Sequence, residues 1–210
     1  NPIAAIQSQA EAAERSKTLS SMRSRVKDVA EAAKKTSRLT QQLLSMEHIS
    51  QRSIKSEFKQ LDLVKLTQEI LTKFALRADK QNVSLSLECK AKKLLIQGSE
   101  TFLSEAIDNL IDNALLYGPT NGGSIQVSLK ENDSYAELII KDDGKGIKPE
   151  LLPNIFDRFF HDSETNSYGS GLGLSIAKTI IEFHEGKLTL TSDHEGTSLN
   201  IILPISSGVS

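Results

Sequence analysis

Between Phe102 and Leu115 apolar side chains recur at three- and four-residue steps, through Leu103, Ala106, Ile107, Leu110, Ile111 and Ala114, which predicts an amphipathic helix. Its other stripe is unusual. Glu105, Asn109, Asn113 and Tyr117 follow one another at four-residue steps, so two amides and a phenol line a face where solvated helices ordinarily carry charges. Such a row suits a metal-bound nucleotide, although two solvated asparagines would leave the same pattern.

The same periodicity organises the rest of the chain. The first 50 residues contain no glycine, no aromatic residue and only Pro2, a composition of long helices. Ile3, Ile6, Ala10 and Ala13 mark one helix face, and Met22, Val26, Val29, Ala33, Thr36, Leu39, Leu43 and Met46 a second at near-heptad spacing, with a turn over Ser16 to Ser21. Two such helices bury little by themselves. A hairpin that dimerises into a four-helix bundle is expected, with a helical extension packed on the following domain as the other arrangement.

Gln51 to Gln60 is polar and reads as a linker, which divides the chain into a helical hairpin over 1–52 and a second domain over 53–210. That domain begins with a helix near Leu63 to Asp79, alternation at Val83, Leu85 and Leu87, and an apolar run at Leu94 to Ile96. After the asparagine helix, Ile125, Val127 and Leu129 alternate, as do Ala136, Leu138 and Ile140, with Glu131 to Ser134 as a hairpin turn. A helix over Leu172 to Phe183 and strands at Leu188 to Thr191 and Leu199 to Leu203 follow. Strands and helices interleave without regular β-α-β repetition, so the expected class is α+β: the hairpin, then an α/β sandwich with its helices on one face.

Composition narrows the function classes. A net charge of -2 over 210 residues gives no support for a nucleic-acid partner. No apolar run reaches the roughly 20 residues that cross a bilayer, and no signal peptide opens the chain. The single Cys89 excludes an internal disulfide and a multi-cysteine metal site.

Three further motifs carry chemistry. Lys141 to Ile147 follows a strand; Gly144 and Gly146 allow a tight turn beside a ligand, and Asp142 can accept a hydrogen bond from an exocyclic amino group such as that of adenine. Asp-Gly pairs also make plain turns. Next, Asn154 to Phe160 is followed by the polar stretch His161 to Tyr168, an arrangement for a lid hinged on Phe156, Phe159 and Phe160, with Arg158 available to phosphate. The aromatics alone read equally as core. Finally, Gly169-Ser170-Gly171-Leu172-Gly173-Leu174 opens a helix, whose unpaired N–H groups and dipole favour an anion. The run lacks the ending of a P-loop and the preceding strand of a Rossmann unit.

In this order the four motifs resemble the N box, first glycine box, F box and second glycine box of the sensor histidine kinase catalytic domain, within the superfamily that includes gyrase, Hsp90 and MutL proteins. The similarity continues through His184-Glu-Gly186 and Gly196-Thr197 to Leu203-Pro204. It implies that Asn113 is a ligand of Mg²⁺ and Asn109 its partner on the metal or its waters. It further implies that Asp142 binds the adenine amino group of ATP, that Tyr117 packs beside base or ribose, and that Gly169, Gly171 and Gly173 line the triphosphate, with Ser170, Leu172 and Leu174 in the same motif. Gly144, Lys145, Gly146, Ile147, Phe156, Arg158 and Thr197 complete the implied nucleotide site. Leu116 stands where the family often has a basic residue, which shifts that charge to Arg158 or Lys145. Gyrase-like hydrolases place a glutamate where this chain has Asn109, and an amide cannot act as a general base. The resemblance therefore implies phosphoryl transfer to a histidine, with an ATP hydrolase or a non-catalytic ATP-binding module as alternatives.

The N-terminal hairpin resembles the dimerisation and phosphotransfer domain of the same family, whose signature ends in the Asn-Pro seen at Asn1-Pro2. The acceptor histidine is then expected upstream of Asn1, leaving this chain unable to phosphorylate itself. None of His48, His161, His184 and His194 stands in such a setting, and His184 reads as a packing or hydrogen-bonding residue. Asn1 occupies the position that orients water for dephosphorylation in bifunctional relatives, or else caps a helix beside Pro2. The resemblance also implies a homodimer, a response-regulator partner, and a cytoplasmic fragment of a protein in the bacterial inner membrane, held there by an upstream transmembrane segment.

Overall fold

The computed structural model describes residues 2–16, 18–51, 57–119, 122–132, 134–160 and 170–205. It divides into two compact units, residues 1–50 and 51–210. In the first, glycine-free sequence forms two helices, α1 (Pro2–Glu14) and α2 (Leu19–Gln51). The intervening turn closes on itself: Ser16 Oγ donates to Ala12 O at 3.1 Å, and Thr18 Oγ1 accepts from Ser21 N–H at 3.2 Å. No helix among the described residues is long and apolar enough to cross a membrane.

The second unit contains β1 (Lys59–Asp62), α3 (Leu63–Lys80), β2 (Ser84–Cys89), β3 (Leu95–Gly98), α4 (Glu100–Tyr117), β4 (Ser124–Glu131), β5 (Tyr135–Asp142), a 3-10 turn (Pro149–Asn154), α5 (Gly173–Phe183), β6 (Lys187–Asp193) and β7 (Gly196–Pro204). Five strands form one sheet in the order β2-β4-β5-β7-β6. Only β2 and β4 are parallel; the other pairs are antiparallel. Alternation decides which face is buried. Ile125, Val127, Leu129, Ala136, Leu138, Ile140, Leu199, Ile201 and Leu203 all point inward, and α3, α4 and α5 pack over them. This is the α/β sandwich with helices on one face that the periodicity implies.

Helix ends are fixed by their own sequence. Asp62 caps α3 through Val64 N–H and also accepts from Leu94 N–H, both at 3.1 Å, so one carboxylate ties the helix start to the neighbouring chain. Ion pairs Lys73–Asp108 and Arg77–Asp112 join α3 to α4, each partner one turn from its counterpart. Two boundaries depart from the periodicity. The asparagine helix begins at Glu100, because Ser99 caps it through Phe102 N–H. The expected linker ends at Lys59, where the short polar segment Lys59–Asp62 becomes a strand by pairing with β3 rather than by its own hydropathy.

Candidate functional site

Asn109 and Asn113 stand one turn apart on α4, and α5 begins directly against them. A methyl group on Gly173 would lie 3.4 Å from Asn113 Nδ2 and 3.5 Å from both Asn109 Oδ1 and Asn113 Oδ1. The bare glycine leaves both amides a common space. Asn109 is buried at 5% exposure, and Asn113 is half-buried. Among the described residues, the first turn of α5 has no capping side chain and no acidic residue, and the helix dipole favours an anion at this end.

The approach to α5 is shaped by Ser170 and Gly171. Ser170 Oγ accepts from Leu172 N–H at 3.2 Å, and Ser175 Oγ donates back to Leu172 O at 2.9 Å. Gly171 has φ +69, and a methyl there would come within 2.6 Å of the Phe159 carbonyl carbon. Phe159 N–H donates to Gly171 O at 2.8 Å, which fastens the Phe156–Phe160 segment to the start of α5. Phe156 lies under the Lys178 ammonium, 5.2 Å from the ring centroid.

Asp142 stands at the C-terminal end of the asparagine helix, beyond Asn113. Its carboxylate is buried and accepts from Gly144 N–H at 2.9 Å and from the backbone N–H of Thr197. Burial raises its pKa above 3.8, against the lowering effect of those two donors; the neighbouring Asp143 adds to the rise. Gly118, which ends α4, touches it: a methyl there would lie 3.1 Å from Asp142 Cβ and Cγ, and one on Gly144 would meet the Gly118 backbone at 2.6 Å. The site thus runs from Asp142 past Gly118 and along α4 to Asn113, Asn109 and Gly173. At 1.5 Å per residue, Gly118 and Asn113 are about 7.5 Å apart along the helix axis.

Three features of this frame carry no sequence signal. Gly118 is one. Ser192 is another: its hydroxyl accepts from Ile147 N–H, donates to Gly196 O and meets Thr197 Oγ1, each at 2.9 Å, holding the first glycine motif against the β6–β7 turn. Gly146, at φ +69, makes that approach possible, since a methyl there would overlap Asp193 O at 1.6 Å. The third is Asp143, which accepts from Ser124 N–H at 2.8 Å and Ser124 Oγ at 2.7 Å; these bonds hold its pKa below 3.8.

The remaining predicted residues fall at the margins. Tyr117 is 42% exposed at the end of α4, Ile147 and Leu174 are half-buried, and Leu172 is buried. Lys145 and Arg158 are exposed, and the contacts among described residues do not bring either to the asparagines. Asn1, the expected lid His161 to Tyr168, and Gly169 lie outside the described residues. His184 has the hydrogen-bonding role expected of it: Nε2 accepts from Ser99 N–H at 3.0 Å, and Nδ1 lies 2.7 Å from Ile180 O.

Comparison with known proteins places this geometry. Residues 98–207 match the family described as histidine kinase-, DNA gyrase B-, and HSP90-like ATPase. The sensor protein kinase PmrB of Pseudomonas aeruginosa is 29% identical over 201 residues, covering 95% of this chain and 42% of that protein. The chain thus spans less than half the length of this curated relative. Among solved structures, a mycobacterial sensor histidine kinase, MprB, superposes with a TM-score of 0.61 at 30% identity, over 70% of this chain and 97% of its own. Histidine kinase ThkA, in a complex with response regulator protein TrrA, superposes with a TM-score of 0.78 at 21% identity, over 100% of this chain and 59% of its own, a likeness of fold. The chain belongs to the histidine kinase-, DNA gyrase B- and HSP90-like ATPase family, and within it to the histidine kinases, whose catalytic ATP-binding domain its second unit contains.

Proposed function

We propose that this chain is the ATP-binding and helical part of a two-component sensor kinase, which moves the γ-phosphoryl group of Mg²⁺-ATP to a histidine and thence to a response-regulator aspartate. The carrying observation is the convergence of the Asn109 and Asn113 amides on Gly173, with the buried Asp142 carboxylate beyond Asn113 at the C-terminal end of the same helix. Asp142 accepts from the adenine amino group, and Tyr117 packs beside the base or ribose. The first-turn N–H groups of α5, reached past Ser170 and Gly171, donate to the triphosphate. Amide oxygens are hard donors with room between them, so Asn113 and Asn109 fit Mg²⁺, which supplies charge neutralisation of the phosphates.

Arg158 or Lys145 carries the cationic charge that Leu116 does not supply. Asn109 orients but does not deprotonate water, which favours an imidazole as acceptor over hydrolysis. In the transfer, the bond from the γ-phosphorus to the ADP oxygen breaks as a nitrogen–phosphorus bond forms. Alignment and charge neutralisation are the main requirements of that step.

Residues 1–52 serve as the dimerisation and phosphotransfer hairpin, and residues 53–210 as the catalytic domain. Leu19, Met22 and Val26 on α2 are exposed at 76%, 42% and 54%, an apolar stripe that supports pairing with a second copy. The same reading gives the parent protein a cytoplasmic kinase region attached to the bacterial inner membrane. The test uses a form extended upstream of Asn1 to include the expected acceptor histidine, incubated with labelled Mg²⁺-ATP. Acid-labile label that disappears in Asn113→Ala is the expected result. Phosphate release without a phosphohistidine would convert the reading to a hydrolase, and ATP binding without label to an interaction module.

A further inference from the structure

We infer that His184 is a positioning residue for the nucleotide site: by bonding Ser99 and Ile180 together, it sets the alignment of α4 on α5 that brings Asn109 and Asn113 to Gly173. The inference rests on the nucleotide reading above. The two helices run in opposite directions and meet at two levels. Ser99, the cap of α4, meets His184, the cap at the far end of α5; Asn109 and Asn113 meet Gly173, the first residue of α5. From Ser99 to Asn109 and from His184 to Gly173 the helices span roughly 15 and 17 Å at 1.5 Å per residue, so they act as two struts of nearly equal length.

Both imidazole nitrogens are committed. Nε2 accepts from Ser99 N–H at 3.0 Å, which leaves the proton on Nδ1 to be donated to Ile180 O at 2.7 Å. The ring is therefore neutral, and burial, which lowers its pKa below 6.5, acts in the same direction. Phe58 covers one face, stacked with centroids 4.6 Å apart and planes 16° from parallel. Gly98 leaves room for the edge, since a methyl there would lie 2.7 Å from His184 Cδ2 and 2.7 Å from Leu103 Cδ1. At 2% exposure the ring cannot exchange these bonds for water. An apolar ring of the same size would strand the Ser99 N–H and free the cap of α4 to shift against α5.

Two variants separate positioning from packing. His184→Phe keeps the ring and the stack but removes the acceptor, whereas the amide of His184→Gln can accept from Ser99 and donate to Ile180. In the 210-residue chain, well below the melting temperature, His184→Phe is expected to weaken Mg²⁺-ATP roughly tenfold, and His184→Gln to stay within about threefold of the parent. The side-chain NH₂ resonances of Asn109 and Asn113 are expected to shift only in His184→Phe. A folded His184→Phe with parental affinity and unshifted amide resonances would overturn the inference. Should that variant not fold, Phe58→Leu decides: it keeps both hydrogen bonds and only loosens the stack, so the Asn109 and Asn113 resonances and the Mg²⁺-ATP affinity are expected to stay parental. Shifted resonances with weakened binding there would assign the alignment to packing and overturn the inference. Absence of ATP binding by the parent chain would instead remove the nucleotide reading, while the resonances still test the alignment.

Discussion

Asp142 carries opposed demands in one side chain. Burial disfavours its charge, while the N–H groups of Gly144 and Thr197 favour it, and burial is the larger effect. Because the folded-state pKa exceeds the unfolded 3.8, its contribution to stability is fully present below 3.8 and is lost as pH rises through the raised value. At neutral pH this carboxylate therefore costs stability, while in the proposed function its charge strengthens the bond it accepts from the adenine amino group. Asp142→Asn is expected to melt at the parental temperature or above, while ATP binding weakens by about 1–3 kcal/mol as one amide donor faces another. In the parent protein, ATP affinity is expected to fall as pH drops through that raised pKa. Calorimetric titration across pH, beside thermal melts, checks both signs.

At the scale of elements, α4 is legible in the amino-acid sequence because its apolar face repeats cleanly and its polar face holds amides instead of charges. Strand β1 is not: Lys59–Asp62 has a single apolar residue flanked by polar ones, and its state is fixed by pairing with β3, distant in sequence. The meeting of α4 with α5 is legible only as motif order. That the contact passes through Gly173 is a matter of packing, as is the touch of Gly118 on Asp142. Glycine substitution makes the distinction measurable. Gly173→Ala meets ordinary contacts of 3.4–3.5 Å at a φ outside the left-handed region, and it improves helix propensity by about 0.5–1 kcal/mol. It is expected to keep or raise the melting temperature while reducing ATP affinity by filling the space between the asparagines. Gly146→Ala, whose methyl would overlap Asp193 O, is expected to lower the melting temperature, a contrast that parallel melts and titrations resolve.

Across the whole molecule, the proposed function assigns assembly to residues 1–50 and nucleotide binding to residues 51–210, the two units into which the chain divides. The second unit buries its own core, and its principal described site residues come from α4, β5 and the loop after it, β7 and the start of α5. The sequence carries this plan through composition, since a glycine-free, aromatic-free stretch precedes a mixed domain. What composition does not carry is the hydrogen-bond frame, because Ser192, Ser124 and Asp143 are ordinary loop and strand residues until the chain folds. Met22→Asp combined with Val26→Asp on the exposed face of α2 is expected to abolish dimerisation and leave ATP affinity within about twofold. Sedimentation velocity beside nucleotide titration reads both; loss of ATP binding with the dimer would contradict the separation.

The central claim is that Asn109 and Asn113, opposite Gly173, hold Mg²⁺-ATP. Its most direct test is calorimetric titration of ATP into the 210-residue chain, with Mg²⁺ and with the metal chelated, for the parent and for Asn113→Ala. The predicted result is binding by the parent that weakens on chelation, and binding by Asn113→Ala that is weaker with Mg²⁺ and no longer responds to chelation, at an unchanged melting temperature. Parental affinity and parental Mg²⁺ dependence in a folded Asn113→Ala would contradict the account.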